Sequence, residues 1–155
     1  MKVGLLTRNE NAWCSSQLKT SFKKAGFETY CFRFEDLVAR VGMKPFASYQ
    51  DLDLCDLDAL LVRPIGRGSL EQIIFRLNLI QKLSRSKLKV INNPSSIEKA
   101  ADKYNTLSIM SEYGIRVPKT IVTENVKEAI IAFSDFGSDV IVKPVFGSRG
   151  IGAAR

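Results

Sequence analysis

The sequence predicts an α/β protein built on an open parallel sheet with covering helices. Three observations predict it. The short apolar runs KVGLLT, LDALLV and LKVIN read as buried parallel strands. Segments with helical apolar spacing lie between them. The strand–helix–strand alternation is that of a sheet whose faces are covered by helices.

The elements follow in order. KVGLLT (residues 2–7) is the first strand. NAWCSSQLKTSFKKAG follows as a helix, with Trp13, Leu18, Phe22 and Ala25 at roughly helical spacing and Gly26 suited to the C-terminal cap. FETYCFRF alternates and is aromatic, as a second strand does. LDALLVRP is a third strand that ends at a proline. The clearest helix is GSLEQIIFRLNLIQKLSRSK. Ser69 is its expected cap, and Leu70, Ile73, Ile74, Leu77, Ile80 and Leu83 its apolar stripe. LKVIN is a fourth strand. Pro94 then permits a helix start capped by Ser95 or Ser96, and Gly114 stops the helical segment that contains Asp102 and Lys103. IRVPKTIVTE reads as extended or strand, NVKEAIIAFSDFG as a short helix ended by Gly137, and DVIVKP as a strand. VFGSRG is a loop, and IGAAR begins another strand. A boundary near residues 92–94 gives expected domains 1–93 and 94–155.

Composition narrows the chemistry. With 155 residues, 45% apolar and 25% charged, the chain is ordinary for a globular protein. No apolar run approaches the roughly 20 residues of a membrane helix, and the N-terminus lacks a signal-peptide core, so the expected location is cytoplasmic. Cys14, Cys31 and Cys55 form no C-x-x-C pair and read as small buried hydrophobes. The chain has no histidine, which removes Ser-His-Asp and Cys-His nucleophile systems. Chemistry that works by positioning and fixed charge, such as phosphoryl transfer, remains open.

The net charge of +7 is uneven. Residues 1–93 carry +6 and residues 94–155 only +1. Between 63 and 89 seven basic residues face one acid, Glu71. Such a patch suits an anionic partner or a solvated helix face.

The stretch VKPVFGSRGIG places Gly147, Gly150 and Gly152 in a G-x-x-G-x-G pattern. That is the reverse of the dinucleotide fingerprint, and it lacks the ending of a P-loop. Two readings stand on the residues alone. One is a hairpin flap whose backbone N–H groups approach phosphate oxygens, with Lys143 aimed at the same group. The other is a plain hairpin turn.

INNPSSIEKAADKYNTLSIMSEYGIRVPKTIVTE, followed by DVIVKPVFGSRGIG, resembles the first half of an ATP-grasp ligase. More narrowly it is similar to the RimK-type glutamate ligases. The resemblance covers residues 57–155 well and the first 56 more loosely. It implies a Rossmann-like pre-ATP-grasp domain over 1–93, then a small α+β first portion of the ATP-grasp domain over 94–155. It implies that Lys103 and Lys143 contact ATP phosphates, and that Gly147, Ser148, Arg149, Gly150 and Gly152 form the flap over the triphosphate. Family members use ATP and Mg²⁺ to convert a carboxylate into an acylphosphate, which an amine, often that of glutamate, attacks. The family's metal ligands are expected beyond residue 155, so the chain alone is expected to be an inactive portion. Arg63 and Arg67, at the carboxyl end of a strand, are expected to bind an anionic carboxylate acceptor. The IGAAR tail is expected to fray or be captured by a partner, which favours a homo-oligomer. The competing reading is a basic module for nucleotide or nucleic acid; few aromatics interleave its charges. A Rossmann dinucleotide site is disfavoured because RNENAW, without a glycine fingerprint, follows the first strand.

Overall fold

A computed structural model describes residues 1–66, 68–147 and 150–155. Arg67, Ser148 and Arg149, three of the expected site residues, lie outside the described residues. The chain divides into two compact units, Met1–Ile97 and Glu98–Arg155.

The first unit holds a four-stranded parallel sheet in the order β2-β1-β6-β7, with β1 at Lys2–Leu6, β2 at Glu28–Phe32, β6 at Ala59–Val62 and β7 at Lys89–Ile91. Strand β1 lies inside the sheet, and Val3, Leu5 and Leu6 are at most 3% exposed, which is why the run has no polar alternation. Helix α1 (Trp13–Lys24) connects β1 to β2 and α2 (Leu70–Ser84) connects β6 to β7. The chain leaves β1 toward β2 and later returns on the other side of β1 as β6. The strand order therefore reverses between β1 and β6.

Helix α1 ends as Gly26 predicts. The Gly26 N–H donates to Lys23 O and the Phe27 N–H to Phe22 O, both at 3.0 Å, and the Phe22 and Phe27 rings meet at 6.2 Å. The positive φ of +75° at Gly26 is what this cap requires. Trp13, expected on the apolar face, is instead 79% exposed, and the buried residue of the first turn is Ser15, whose hydroxyl bonds Thr7 at 2.8 Å. Ser69 caps α2 as expected, in a reciprocal pair with Gln72.

The stripe of α2 is shorter than its sequence suggests. Leu79, Ile80 and Leu83 are buried, whereas Leu70 and Ile74 are exposed. Lengths explain this: a helix of 15 residues spans about 22 Å, and a strand of four residues about 13 Å, so the sheet can cover only part of the helix.

Between β2 and β6 the sequence reading found no element. The structure has a three-stranded antiparallel sheet there, β3 (Leu37–Ala39), β4 (Ala47–Tyr49) and β5 (Leu52–Asp53), flanked by short 3₁₀ turns. Ala47 and Leu54 are fully buried and join Leu60, Ile80 and Leu83 in the core.

Helix α3 (Pro94–Ala101) is capped by Asn93, not by Ser95 or Ser96: its Oδ1 accepts the Ser95 N–H at 2.9 Å. With Pro94 fixed as the first helical residue, the capping position falls one residue earlier.

The second unit holds α4 (Lys103–Glu112) and α5 (Val126–Asp135). Glycines 114 and 137, both at positive φ, close α4 and α5 as predicted. The segments IRVPKTIVTE, read as extended or strand, and DVIVKP, read as a strand, form no ladder among the described residues. Ile115, Ile121, Ile141 and Val142 are exposed, and a strand exists only where a neighbour takes its N–H and C=O groups. Ala154 is not a frayed end. It exchanges both backbone bonds with Val142, at 2.8 and 2.9 Å. No helix among the described residues is long and apolar enough to cross a membrane.

Candidate functional site

Two places in the fold collect the candidate residues, one in each unit.

In the second unit, the Val142–Ala154 pair closes a hairpin around the glycine loop. Gly150 and Gly152 adopt φ of +70° and +75°, a region that L side chains rarely enter. A Cβ on Gly150 would meet no atom of the described residues within 4 Å beyond its chain neighbours, so its backbone is open to them on that side.

The partner of this loop is the start of α4. Asp102 caps the helix, its Oδ1 accepting the Asn105 N–H at 3.0 Å. Lys103 is then the first helical residue. A cation gains nothing from the helix dipole at that end, so its position serves something other than the helix. Its ammonium donates to three carbonyl oxygens of the loop: Pro144 at 2.8 Å, Gly147 at 3.1 Å and Val145 at 3.3 Å. Its backbone N–H also reaches Val145 O at 3.2 Å, beside the bridge from Asp102 to Phe146. An ammonium has three N–H donors, and here all three are taken. Lys103 therefore shapes the loop directly, which the sequence reading missed. Lys143 sits on the hairpin arm, exposed, with no side-chain partner among the described residues.

In the first unit, the candidate residues stand at the carboxyl edge of the parallel sheet. The Arg63 N–H donates to Leu6 O at 2.8 Å, which fixes the first residue beyond β6 against the end of β1. Its side chain is half-buried, and its Nε is buried without a hydrogen-bond partner among the described residues. The Arg63 guanidinium beside the Cys14 thiol holds that thiol below its usual range. A polar cleft of about 610 Å³ opens beside this edge, with Thr7, Arg8, Asn9, Arg33 and Tyr49 among its lining residues.

The basic residues of the first unit are partly committed elsewhere. Arg33 pairs with Glu35 and Asp36, Lys19 with Glu10, and Lys82 and Arg76 stack on Phe46 and Phe34. Among the described residues no group of three or more Cys, Asp or Glu side chains is placed to hold a metal ion.

Comparison with known proteins bears on the chain as a whole. No family model matches the chain. A tetrahydromethanopterin:alpha-L-glutamate ligase of Methanosarcina acetivorans is 33% identical over 161 residues, covering 99% of this chain and 49% of the relative. An alpha-aminoadipate–LysW ligase, LysX, of Sulfurisphaera tokodaii is 36% identical over 102 residues, 66% of this chain and 34% of the relative. Among solved structures, a RimK domain ATP-grasp protein from Sphaerobacter thermophilus superposes with a TM-score of 0.76 at 21% identity, covering 99% of this chain and 54% of that one. The chain spans about half the length of the curated relatives that match it over its whole length. Its sequence is thus similar to that of curated glutamate and amino-acid ligases, and its fold to that of a RimK domain ATP-grasp protein, of which it covers about half.

Proposed function

We propose that the chain is the acceptor-binding and flap-bearing portion of an ATP-dependent carboxylate–amine ligase, with glutamate as the amine added. Residues 1–93 are the pre-ATP-grasp domain in this reading, and residues 94–155 the first portion of the ATP-grasp domain. ATP phosphorylates an acceptor carboxylate to an acylphosphate. The amine then displaces phosphate and forms the amide. The relatives that cover the whole chain are named as glutamate ligases, and that is the basis for glutamate.

The observation that carries the reading is the clasp of Lys103 on the glycine hairpin. A plain hairpin turn does not need a lysine from a helix 41 residues earlier in sequence. The backbone at Gly150 and the Lys143 ammonium, which has no side-chain partner among the described residues, fit phosphate oxygens, the first by close approach and the second by charge. Gly147, Gly152, Ser148 and Arg149 complete the proposed flap, and Arg63 and Arg67 the proposed acceptor contacts. Mg²⁺ belongs to the proposal for the complete enzyme only. The nucleic-acid reading is weakened because several basic side chains of the first unit are paired with acids or stacked on aromatic rings.

Isothermal titration of ATP into the 155-residue chain tests this. Weak, saturable binding that is lost in Lys143→Ala is the expected result. Binding indifferent to Lys143 overturns the flap assignment. Because the chain covers half of its relatives, it is expected to show no ligation alone, and robust turnover by the purified chain would overturn that part.

A further inference from the structure

We infer that Gln50 is a specificity-determining residue of the acceptor site and reads an amide edge on the acceptor. The inference deepens the acceptor reading above and rests on it, since that reading supplies the acceptor's carboxylate. It adds a residue, Gln50, and a ligand class, a carboxylate substrate that also carries a primary amide or a lactam.

The backbone at Gln50 is strained. Tyr49 and Leu52 are register partners in β4 and β5, so Gln50 and Asp51 form a two-residue hairpin loop. The φ angle is +51° at Gln50 and is not positive at Asp51. A two-residue loop with positive φ only at its first central residue takes glycine there. A glutamine in that conformation crowds its Cβ against the backbone.

Nothing among the described residues offsets that strain. Gln50 is exposed, and its carboxamide has no hydrogen-bond partner among them. Strained residues of this kind gather at ligand sites. Gln50 lines the cleft of about 610 Å³ together with Thr7, Asn11, Phe32 and Tyr49. Thr7 follows β1 and Phe32 ends β2, so the cleft lies on the carboxyl edge where open α/β sheets take ligands. The half-buried Tyr49 ring, 5.1 Å from the Phe32 ring, anchors the turn there.

The chemistry of the cleft indicates what Gln50 recognises. Several of its charges are paired: Arg33 with Asp36 and Glu10 with Lys19, each at 2.8 Å. Arg8 leaves one cation in the lining without a carboxylate partner among the described residues. The Gln50 carboxamide is neutral and planar, with a C=O acceptor and an N–H donor side by side. The group that meets both at once is another such edge, a primary amide or a lactam. A lone carbonyl or hydroxyl leaves one of the two unused.

The test uses the 155-residue chain with L-pyroglutamate and cyclopentanecarboxylate as separate probes. The two share ring size and carboxylate and differ in the lactam. Chemical-shift titration and thermal unfolding are the readouts. Pyroglutamate is expected to bind about tenfold tighter, with shifts centred on residues 7–11 and 49–50. Gln50→Gly removes the strain and the carboxamide together. It should raise the unfolding midpoint by roughly 2–4 °C and abolish the preference, with cyclopentanecarboxylate binding unchanged. Gln50→Met keeps the strain and removes only the carboxamide, so it should abolish the preference at an unchanged midpoint. Equal binding of the two probes by the unsubstituted chain, a preference that survives in Gln50→Met, or a Gln50→Gly midpoint that does not rise overturns the inference. ATP titration of the same samples separates it from the reading it rests on. A chain that binds ATP through Lys143 but shows no lactam preference loses this inference alone. One that shows the preference through Gln50 but binds no ATP keeps the lactam site and overturns the ligase reading.

Discussion

The Lys103 ammonium donates to the Pro144 carbonyl at 2.8 Å across 41 residues of sequence, and the same ammonium holds Gly147 O at 3.1 Å. One side chain therefore ties both sides of the turn at Phe146 to the start of α4. Replacing it with methionine removes three donors and leaves the carbonyls to water. Lys103→Met should speed exchange of the residue 103 amide, which bonds Val145 O at 3.2 Å, by roughly five- to tenfold, the equivalent of about 1 kcal/mol of local opening free energy. Exchange in α5 should be unchanged. Equal exchange at that amide in both proteins would remove the clasp from the account.

The two lysines should also differ toward nucleotide. Lys103 has its donors filled, whereas Lys143 is exposed and has no side-chain partner among the described residues. A phosphate gains a full charge-assisted bond from Lys143, but must displace carbonyls to gain one from Lys103. Lys143→Ala is expected to weaken ATP binding about tenfold or more, and Lys103→Met by less. Titration calorimetry of both variants decides it, and the reverse order would show that Lys103 abandons the loop when nucleotide binds.

How much of this was legible in the sequence differs from element to element. The strands of the parallel sheet were readable because β1 and β6 are buried, and burial writes itself as unbroken apolar runs. Glycines 26, 114 and 137 were readable as helix ends because a left-handed cap admits few other residues. The insertion β3–β5 was not legible, since its strands are two or three residues long and too short to show a period. The clasp was half legible. Lys103 and the glycine loop stood out through their resemblance to a family pattern, but a lysine's partners 41 residues away leave no local trace.

The cap of α3 gives a direct stability test of one such correction. Asn93 Oδ1 accepts both the Ser95 N–H and the Ser95 hydroxyl, each at 2.9 Å. Asn93→Ala should cost about 1 kcal/mol, the usual loss at a capping position, while Ser96→Ala should be nearly neutral. Urea unfolding of both variants measures this, and a larger loss from Ser96 would return the cap to the serines.

Gly4 tests the packing of the sheet. It lies in the middle of β1, and a Cβ there would sit 2.8 Å from Leu57 Cδ1, 2.9 Å from Leu60 Cδ1 and 3.1 Å from Phe32 Cζ. All three neighbours are buried at 3% exposure or less, so they have little room to yield. Gly4→Ala should destabilise the chain by roughly 1–3 kcal/mol through overpacking, against the small gain that alanine usually brings to a strand. Thermal unfolding that shows a stabilised variant would mean that the leucines rearrange freely.

The three cysteines should react in an order set by their surroundings. The Arg63 guanidinium lowers the Cys14 pKa, and the place of Cys14 in the first turn of α1 adds the positive end of the helix dipole. Burial raises the pKa of Cys31 and of Cys55. Lowering a thiol pKa raises the thiolate fraction at neutral pH, so iodoacetamide should label Cys14 first. The pH midpoint of its rate should fall below that of a free thiol, while those of Cys31 and Cys55 lie above it. Arg63→Gln should move the Cys14 midpoint upward and leave the other two in place. A carboxylate bound at Arg63 would compete for the same guanidinium, so glutarate should shift the Cys14 midpoint in the same upward direction. Mass-spectrometric labelling across pH, with and without glutarate, reads all three sites at once. A Cys14 midpoint that ignores both the substitution and the anion would show that Arg63 does not govern this edge of the sheet.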